Sequence, residues 1–322
     1  DGLGTGGADG LVKMWNRTLE CTLVIDTKNF GTINPHVRCV DWDADHGIIA
    51  VATISSEIYE VSCFDGESVH KDPLMQGHSG PELWGLSVNP MKDEYCTVGD
   101  DGILRIWSGN QQHAVQSVEL EMAARTCCYS PDGRRIAIGF GCPVRLTPKQ
   151  YDGKWVVLDA EDLQITHEAR DSNKWITDMK YSPNGEMLAV GGFDFKIYVY
   201  SVNDAYSLSC TISQHNAYIT HLDFSEDSSW IQSNCAGFEL AFYEADTGMF
   251  IPAASRLRDV RWATQSCVLG WAMQGLWQPQ RDGTEVTACD VNLFRNEDEI
   301  VIVSGDNYGR VQMYRYPSTS ST

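Results

Sequence analysis

The feature that most constrains this chain is a repeat. Short apolar runs end at Leu11–Trp15, Glu57–Val61, Ile103–Trp107, Trp155–Leu158, Lys196–Tyr200, Leu240–Tyr243 and Val311–Tyr314. Most successive ends lie about 45 residues apart, the period of a four-stranded β unit; the last interval, roughly 70 residues, must hold an insertion. Turns give the same period independently. They follow the first strand of a unit at Asp43–Gly47, Asn89-Pro90, Ser130-Pro131-Asp132-Gly133, Ser182-Pro183-Asn184-Gly185 and Ser225–Ser228. Pro presets φ for the second turn position, and Asp, Asn and Gly tolerate the tight conformations that follow.

The fullest unit is Gly77–Ser108. It predicts strands at Leu83–Val88, Glu94–Val98 and Ile103–Trp107, separated by Asn89-Pro90 and Asp100-Asp101-Gly102. Runs such as Arg135–Gly139, Met187–Gly191 and Ile300–Val303 are apolar throughout. That pattern suits strands covered on both faces, as when sheets stack. No long segment keeps a 3.6-residue period, so helix content is expected to be very low. The prediction is an all-β, seven-bladed WD-repeat β-propeller over residues 1–317, with 318–322 a disordered tail.

The predicted ring closes atypically, because its first and last blades are incomplete. Blade one starts with Leu3–Gly6, Leu11–Trp15 and Glu20–Ile25 and lacks an innermost strand. The last has Thr287–Val291, Ile300–Val303 and Arg310–Tyr314 and lacks an outer one. Closure must borrow strands, either from an upstream domain or from the insertion, since an open ring leaves exposed edges. Because the chain begins inside a repeat, more sequence is expected upstream. Two stretches depart from the frame: the loop Phe140–Lys154 and the insertion Ala254–Glu285. The aromatics of the insertion, Trp262, Trp271 and Trp277, are expected to pack as extra strands.

Composition narrows the function. A formal net charge of −20 opposes nonspecific binding to nucleic acid or anionic membranes. No apolar run is long enough to span a membrane as a helix, and none resembles a secretory leader. The 11 cysteines are odd in number and contain no Cys-x-x-Cys, which fits reduced thiols rather than a disulfide framework.

His78, Thr97, Asp101 and Trp107 occupy the places of the hydrogen-bonded set found in WD repeats, a structural role in which Asp orients the imidazole and buried polar atoms find partners. Blade one keeps Thr5, Asp9 and Trp15, and blade five keeps Asp194 with Tyr200. Blade six offers His215 or His221 but no matching Asp.

No catalytic constellation emerges. Gly4-Thr5-Gly6-Gly7 lacks the following helix of a dinucleotide site, and Gly77-His78-Ser79-Gly80 is not a nucleophile elbow. His215 and His221 stand six residues apart without a recognisable metal-site pattern. Neither cofactor nor metal is expected. The candidate partner contacts are local basic groups: Arg256, Arg258 and Arg261, with Arg145 and Lys149 on the loop as others.

Beyond generic WD repeats, the chain resembles the echinoderm microtubule-associated protein-like family, specifically its second propeller. The resemblance rests on Leu83–Leu86, Cys127–Gly139, Trp155–Ala160, Met179–Gly191, Tyr218–Phe224, Trp262–Gly275 and Gly305–Pro317. It implies a non-enzymatic module that binds tubulin or microtubules, packed against an upstream propeller of the same chain. It also implies residence in the cytoplasm on the microtubule cytoskeleton, with the ciliary axoneme as one setting. The alternative is a generic WD-repeat adaptor presenting partners in a signalling or ubiquitin-transfer complex.

Overall fold

A computed structural model describes residues 2–80, 82–110, 113–141, 153–277, 285–291 and 300–320. The described strands fall into seven antiparallel sheets in chain order. The first is β1 (Leu3–Gly6), β2 (Leu11–Trp15) and β3 (Cys21–Asp26); the second is β4 (Val37–Asp43), β5 (Ile48–Thr53) and β6 (Ile58–Ser62). The third repeat supplies β7 (Leu83–Val88), β8 (Glu94–Gly99), β9 (Ile103–Ser108) and β10 (Ala114–Glu119). The fourth has β11 (Ala124–Tyr129), β12 (Arg135–Phe140), β13 (Lys154–Asp159) and β14 (Ile165–Arg170). The fifth has β15 (Ile176–Tyr181), β16 (Met187–Gly192), β17 (Ile197–Ser201) and β18 (Ser207–Ile212). The sixth comprises β19 (Ile219–Phe224), β20 (Trp230–Cys235) and β21 (Leu240–Glu244). The seventh comprises β22 (Val286–Val291), β23 (Val301–Asp306) and β24 (Val311–Arg315). Helical structure among the described residues is limited to 3₁₀ turns, at Thr27–Phe30, Ala254–Leu257 and Trp271–Leu276 among them.

The chain divides into two compact units: Asp1–Leu83 with Gly99–Glu121, and Trp84–Val98 with Met122–Thr322. In the first, Val12, Met14, Ile25, Ile49, Val51, Tyr59 and Val61 form one core. In the second, β11 and β16 are buried along their whole length; β16 is apolar throughout, as burial on both faces requires, whereas β11 also buries Arg125 and Thr126. A core around Trp155, Met179, Leu188 and Tyr200 joins the fourth and fifth sheets, and one around Val199, Leu222, Phe224 and Tyr243 joins the fifth and sixth.

The repeated turn is a device of local chemistry. At Ser130 the hydroxyl donates to Asp132 (2.5 Å) and accepts from the Arg135 amide (3.0 Å), while the Gly133 amide donates to the Ser130 carbonyl (2.9 Å). Ser182 does the same with Asn184, Met187 and Gly185, and Ser225 with Asp227, Trp230 and Ser228. The fourth position is left-handed in all three, with φ of 68° at Gly133, 74° at Gly185 and 64° at Ser228. Glycine tolerates that conformation freely, so the Ser228 turn is the strained member.

Three features differ from the sequence reading. The second and sixth sheets have three strands, because their fourth strands shrink to bridges. Met75 and Ser68 bridge to β6, and Phe250 bridges to Tyr243 of β21. Pro73 and Pro252 follow or interrupt these stretches and cannot donate to a ladder. The insertion does not add strands among its described residues. It is pinned as a loop by one carboxylate.

Asp223 on β19 is fully buried and accepts from Thr264 Oγ1 (2.5 Å), the Ser266 amide (2.9 Å), Ser266 Oγ (2.9 Å), the Cys267 amide (2.9 Å) and Gln232 Nε2 (3.1 Å). The aromatics then pack into existing cores. Trp262 stacks on Phe242 at 5.9 Å, and Met273 and Leu276 join Val291 and Ile302. Ser318 is tied as well. The Ser318 amide donates to the Ala272 carbonyl (2.8 Å) and the Gly275 amide to the Ser318 carbonyl (2.8 Å), so Ser318 is not part of a free tail.

Removing the Asp223 carboxylate strands five donors, those of Cys267 and Gln232 on buried residues. Asp223→Ala is expected to lower unfolding free energy by about 3 kcal/mol or more, read by urea denaturation. A loss under about 1 kcal/mol would show that the insertion is held by its apolar contacts instead.

Candidate functional site

The hydrogen-bond set of the third repeat begins in the first unit. His78 Nδ1 lies 2.9 Å from Asp101 Oδ1, and the Ser79 amide donates to Asp101 Oδ2 at 3.1 Å. Gly80 lets the loop come this close: a Cβ there would lie 2.5 Å from the Asp101 amide nitrogen. Sequence reasoning missed Arg105, which is fully buried and donates from Nη1 to Asp101 Oδ2 at 2.8 Å. An Arg inside a strand looks like an exposed charge until the fold covers it. Thr97, on β8, is buried, and Trp107, on β9, is partly buried. Burial alone would raise the Asp101 pKa, but the bonds from His78 and Arg105 outweigh it and hold the carboxyl at about 2. In the first repeat, Trp15 Nε1 donates to Thr5 Oγ1 at 2.9 Å.

In the second unit, the segment pinned by Asp223 carries the three arginines. Arg256 lies in the 3₁₀ turn Ala254–Leu257, and Arg258 and Arg261 follow it; all three are exposed. Arg258 lies over the Trp271 ring at 4.5 Å, beside a cavity of about 340 Å³ lined also by Leu257, Trp262, Gln265 and Tyr316. The backbone beneath is fixed: the Glu226 amide donates to the Arg261 carbonyl at 2.9 Å, and Trp262 bridges to Ser225. Arg145 and Lys149 lie outside the described residues.

The same unit holds a larger cavity, about 600 Å³, that no sequence motif announced. Its rim is aromatic. Arg125 lies 4.0 Å from the Trp84 ring and 5.1 Å from the Trp175 ring, Trp175 contacts Phe193 at 5.1 Å, and Phe193 stacks on Tyr218 at 4.3 Å. Deeper in, Lys180 Nζ lies 3.5 Å from Asp178 Oδ1. Burial opposes the ammonium charge, but Asp178 and Asp223 prevail and push its pKa up. Burial pushes the neighbouring His221 down, favouring the neutral ring. These rim residues come from the ends of different strands, so no single stretch of sequence shows them together.

A family model described as the echinoderm microtubule-associated protein second β-propeller matches residues 83–322. The chain belongs to this family. It is 30% identical over 317 residues to echinoderm microtubule-associated protein-like 2 of Homo sapiens, covering 97% of this chain and 45% of that protein. Echinoderm microtubule-associated protein-like 3 of Homo sapiens is 32% identical over 249 residues, covering 76% and 26%. Echinoderm microtubule-associated protein-like 4 of Xenopus tropicalis is 32% identical over 317 residues, covering 97% and 32%. The chain therefore spans less than half the length of these relatives. Membership accords with the seven antiparallel sheets of a WD-repeat β-propeller; among the described residues the first and last sheets, like the second and sixth, have three strands.

The Asp101 geometry has a pH consequence. Its folded pKa, about 2, lies below the ordinary value for Asp. Its stabilising contribution is therefore complete above about pH 4 and fades as pH falls through the folded pKa. Asp101→Asn should lose about 2 kcal/mol at neutral pH and show a flatter stability profile between about pH 4 and 2, followed by urea melts. Parallel profiles for the two proteins would contradict the assignment.

Proposed function

We propose that this chain is a non-enzymatic module that binds microtubules through a local basic contact. The observation that carries the reading is the exposed trio Arg256, Arg258 and Arg261 on a stretch tied at its end by the Glu226–Arg261 bond and the Ser225–Trp262 bridge, just before the residues that Asp223 holds. Tubulin is acidic, and so is this chain, with a net charge of −20. Bulk attraction cannot bring them together, so binding has to act at short range, through a cationic patch inside the screening length. The family relatives are named as microtubule-associated proteins, which supports the same partner. Rigid presentation is what a propeller supplies: stacked sheets fix the loops, and the loops make the contacts. On this reading the module works on the cytoplasmic microtubule cytoskeleton, including the ciliary axoneme, beside an upstream propeller of its own chain. Arg145 and Lys149 are a second basic candidate for the same contact.

The aromatic-rimmed cavity favours a second reading, an adaptor that docks a peptide from another partner. Large aromatic rings around a partly polar pocket are what peptide recognition uses.

Microtubule co-pelleting separates the two. Changing Arg256, Arg258 and Arg261 together to Glu should weaken pelleting about tenfold or more, and the loss should shrink as salt rises. Unchanged pelleting would remove this patch. Pull-downs that lack tubulin but are rich in one other complex would support the adaptor instead.

A further inference from the structure

Blade six brings together three side chains whose spacing in sequence gave no metal signature. His215 precedes β19, Cys235 ends β20, and Glu239 stands in the turn before β21. His215 Nε2 lies 2.6 Å from Ser233 Oγ. Its other nitrogen, Nδ1, faces Glu239 Oε2 at 3.4 Å, and Cys235 Sγ lies 3.4 Å from the same oxygen. The three ligand atoms all fall within 4.8 Å of one another. His215 and Cys235 are buried, while the Glu239 side chain is 42% exposed and opens the cluster to solvent. Asn216 orients the carboxylate, donating from Nδ2 to Oε1 at 3.2 Å and from its amide to Oε2 at 3.5 Å.

The ordinary role for this group would be blade six's version of the His78–Asp101 set. The distances argue for more. His78 and Asp101 meet at 2.9 Å, whereas His215 and Glu239 stand at 3.4 Å. A charge-assisted bond closes to about 2.7–2.9 Å. Ligands on one tetrahedral ion, bound at about 2.0–2.3 Å, stand roughly 3.3–3.6 Å apart. Two edges of the triangle have that length, and the third corner is a thiol, which the set in the third repeat does not use.

We propose that His215 Nδ1, Cys235 Sγ and Glu239 Oε2 form a binding site for a divalent, borderline-soft cation of the zinc class, with solvent completing the tetrahedron. Ser233 serves as the outer partner: it accepts the Nε2 proton and so leaves the Nδ1 lone pair for the ion. On binding, Cys235 gives up its thiol proton to solvent, and its sulfur lone pair forms the bond to the metal. The ion ties the β20–β21 turn to the loop before β19.

The test uses the whole chain, stripped with a chelator and titrated with Co²⁺. The expected result is a near-ultraviolet thiolate-to-cobalt charge-transfer band with the visible bands of tetrahedral Co²⁺, abolished by Zn²⁺. Cys235→Ser should remove the charge-transfer band. Glu239→Gln, at the exposed corner, should keep the band but weaken Zn²⁺ binding about tenfold or more. No band from the folded chain, or a band that survives Cys235→Ser, overturns the proposal. If Cys235→Ser does not fold by circular dichroism, Glu239→Gln decides: an unchanged Zn²⁺ affinity overturns it.

Discussion

One buried carboxylate holds the insertion of the second unit in place. Asp223 sits on a strand inside the second unit, fully buried, and takes its hydrogen bonds from Thr264, Ser266, Cys267 and Gln232. A desolvated carboxylate is costly unless donors surround it. The donors here come mostly from a segment that lies about forty residues away in the chain, beyond the strands of its own sheet. The segment is therefore held as a specific loop. Its flanks, Trp262 on one side and Met273 and Leu276 on the other, reach separate cores. The arginines between Ala254 and Trp262 ride on a fixed platform.

The polar sets in the third and sixth repeats show how one frame takes different chemistry. Each places a His against a carboxylate. In the third the carboxylate is Asp101, close to the ring and shared with a buried Arg105. In the sixth it is Glu239, two residues beyond the position that matches Asp101 and further from the ring, with Cys235 alongside. A longer side chain from a later residue widens the gap, and the widened gap can accept an ion.

Much of the fold was legible in the sequence because its signals are local. The Ser-Pro-Asp-Gly and Ser-Pro-Asn-Gly turns at Ser130 and Ser182 close on hydrogen bonds within five residues, so the motif and the turn are nearly the same thing. Most strand edges followed from apolar runs to within a residue or two, although the run Ile300–Val303 continues as a strand to Asp306. What stayed hidden depends on distant pairing. Asp223 reads as a solvent-facing charge in an alternating strand, and only the fold shows Ser266 and Cys267 bonded to it. Arg105 is hidden for the same reason. The absence of an Asp beside Tyr243 suggested that His215 had no carboxylate, but Glu239 reaches it from another register position. The aromatic rim at Trp84, Trp175 and Tyr218 is assembled from separate strands and has no linear signature.

On the proposed function, the pinned insertion is the surface presented to microtubules. Hydrogen–deuterium exchange of the chain, free and bound to microtubules, tests it most directly. Added protection is expected across residues 254–262, with Ser266 and Cys267 already slow to exchange in the free chain because Asp223 holds their amides. Protection that appears elsewhere, for instance around Trp84 and Tyr218, while residues 254–262 exchange as in the free chain, would contradict it.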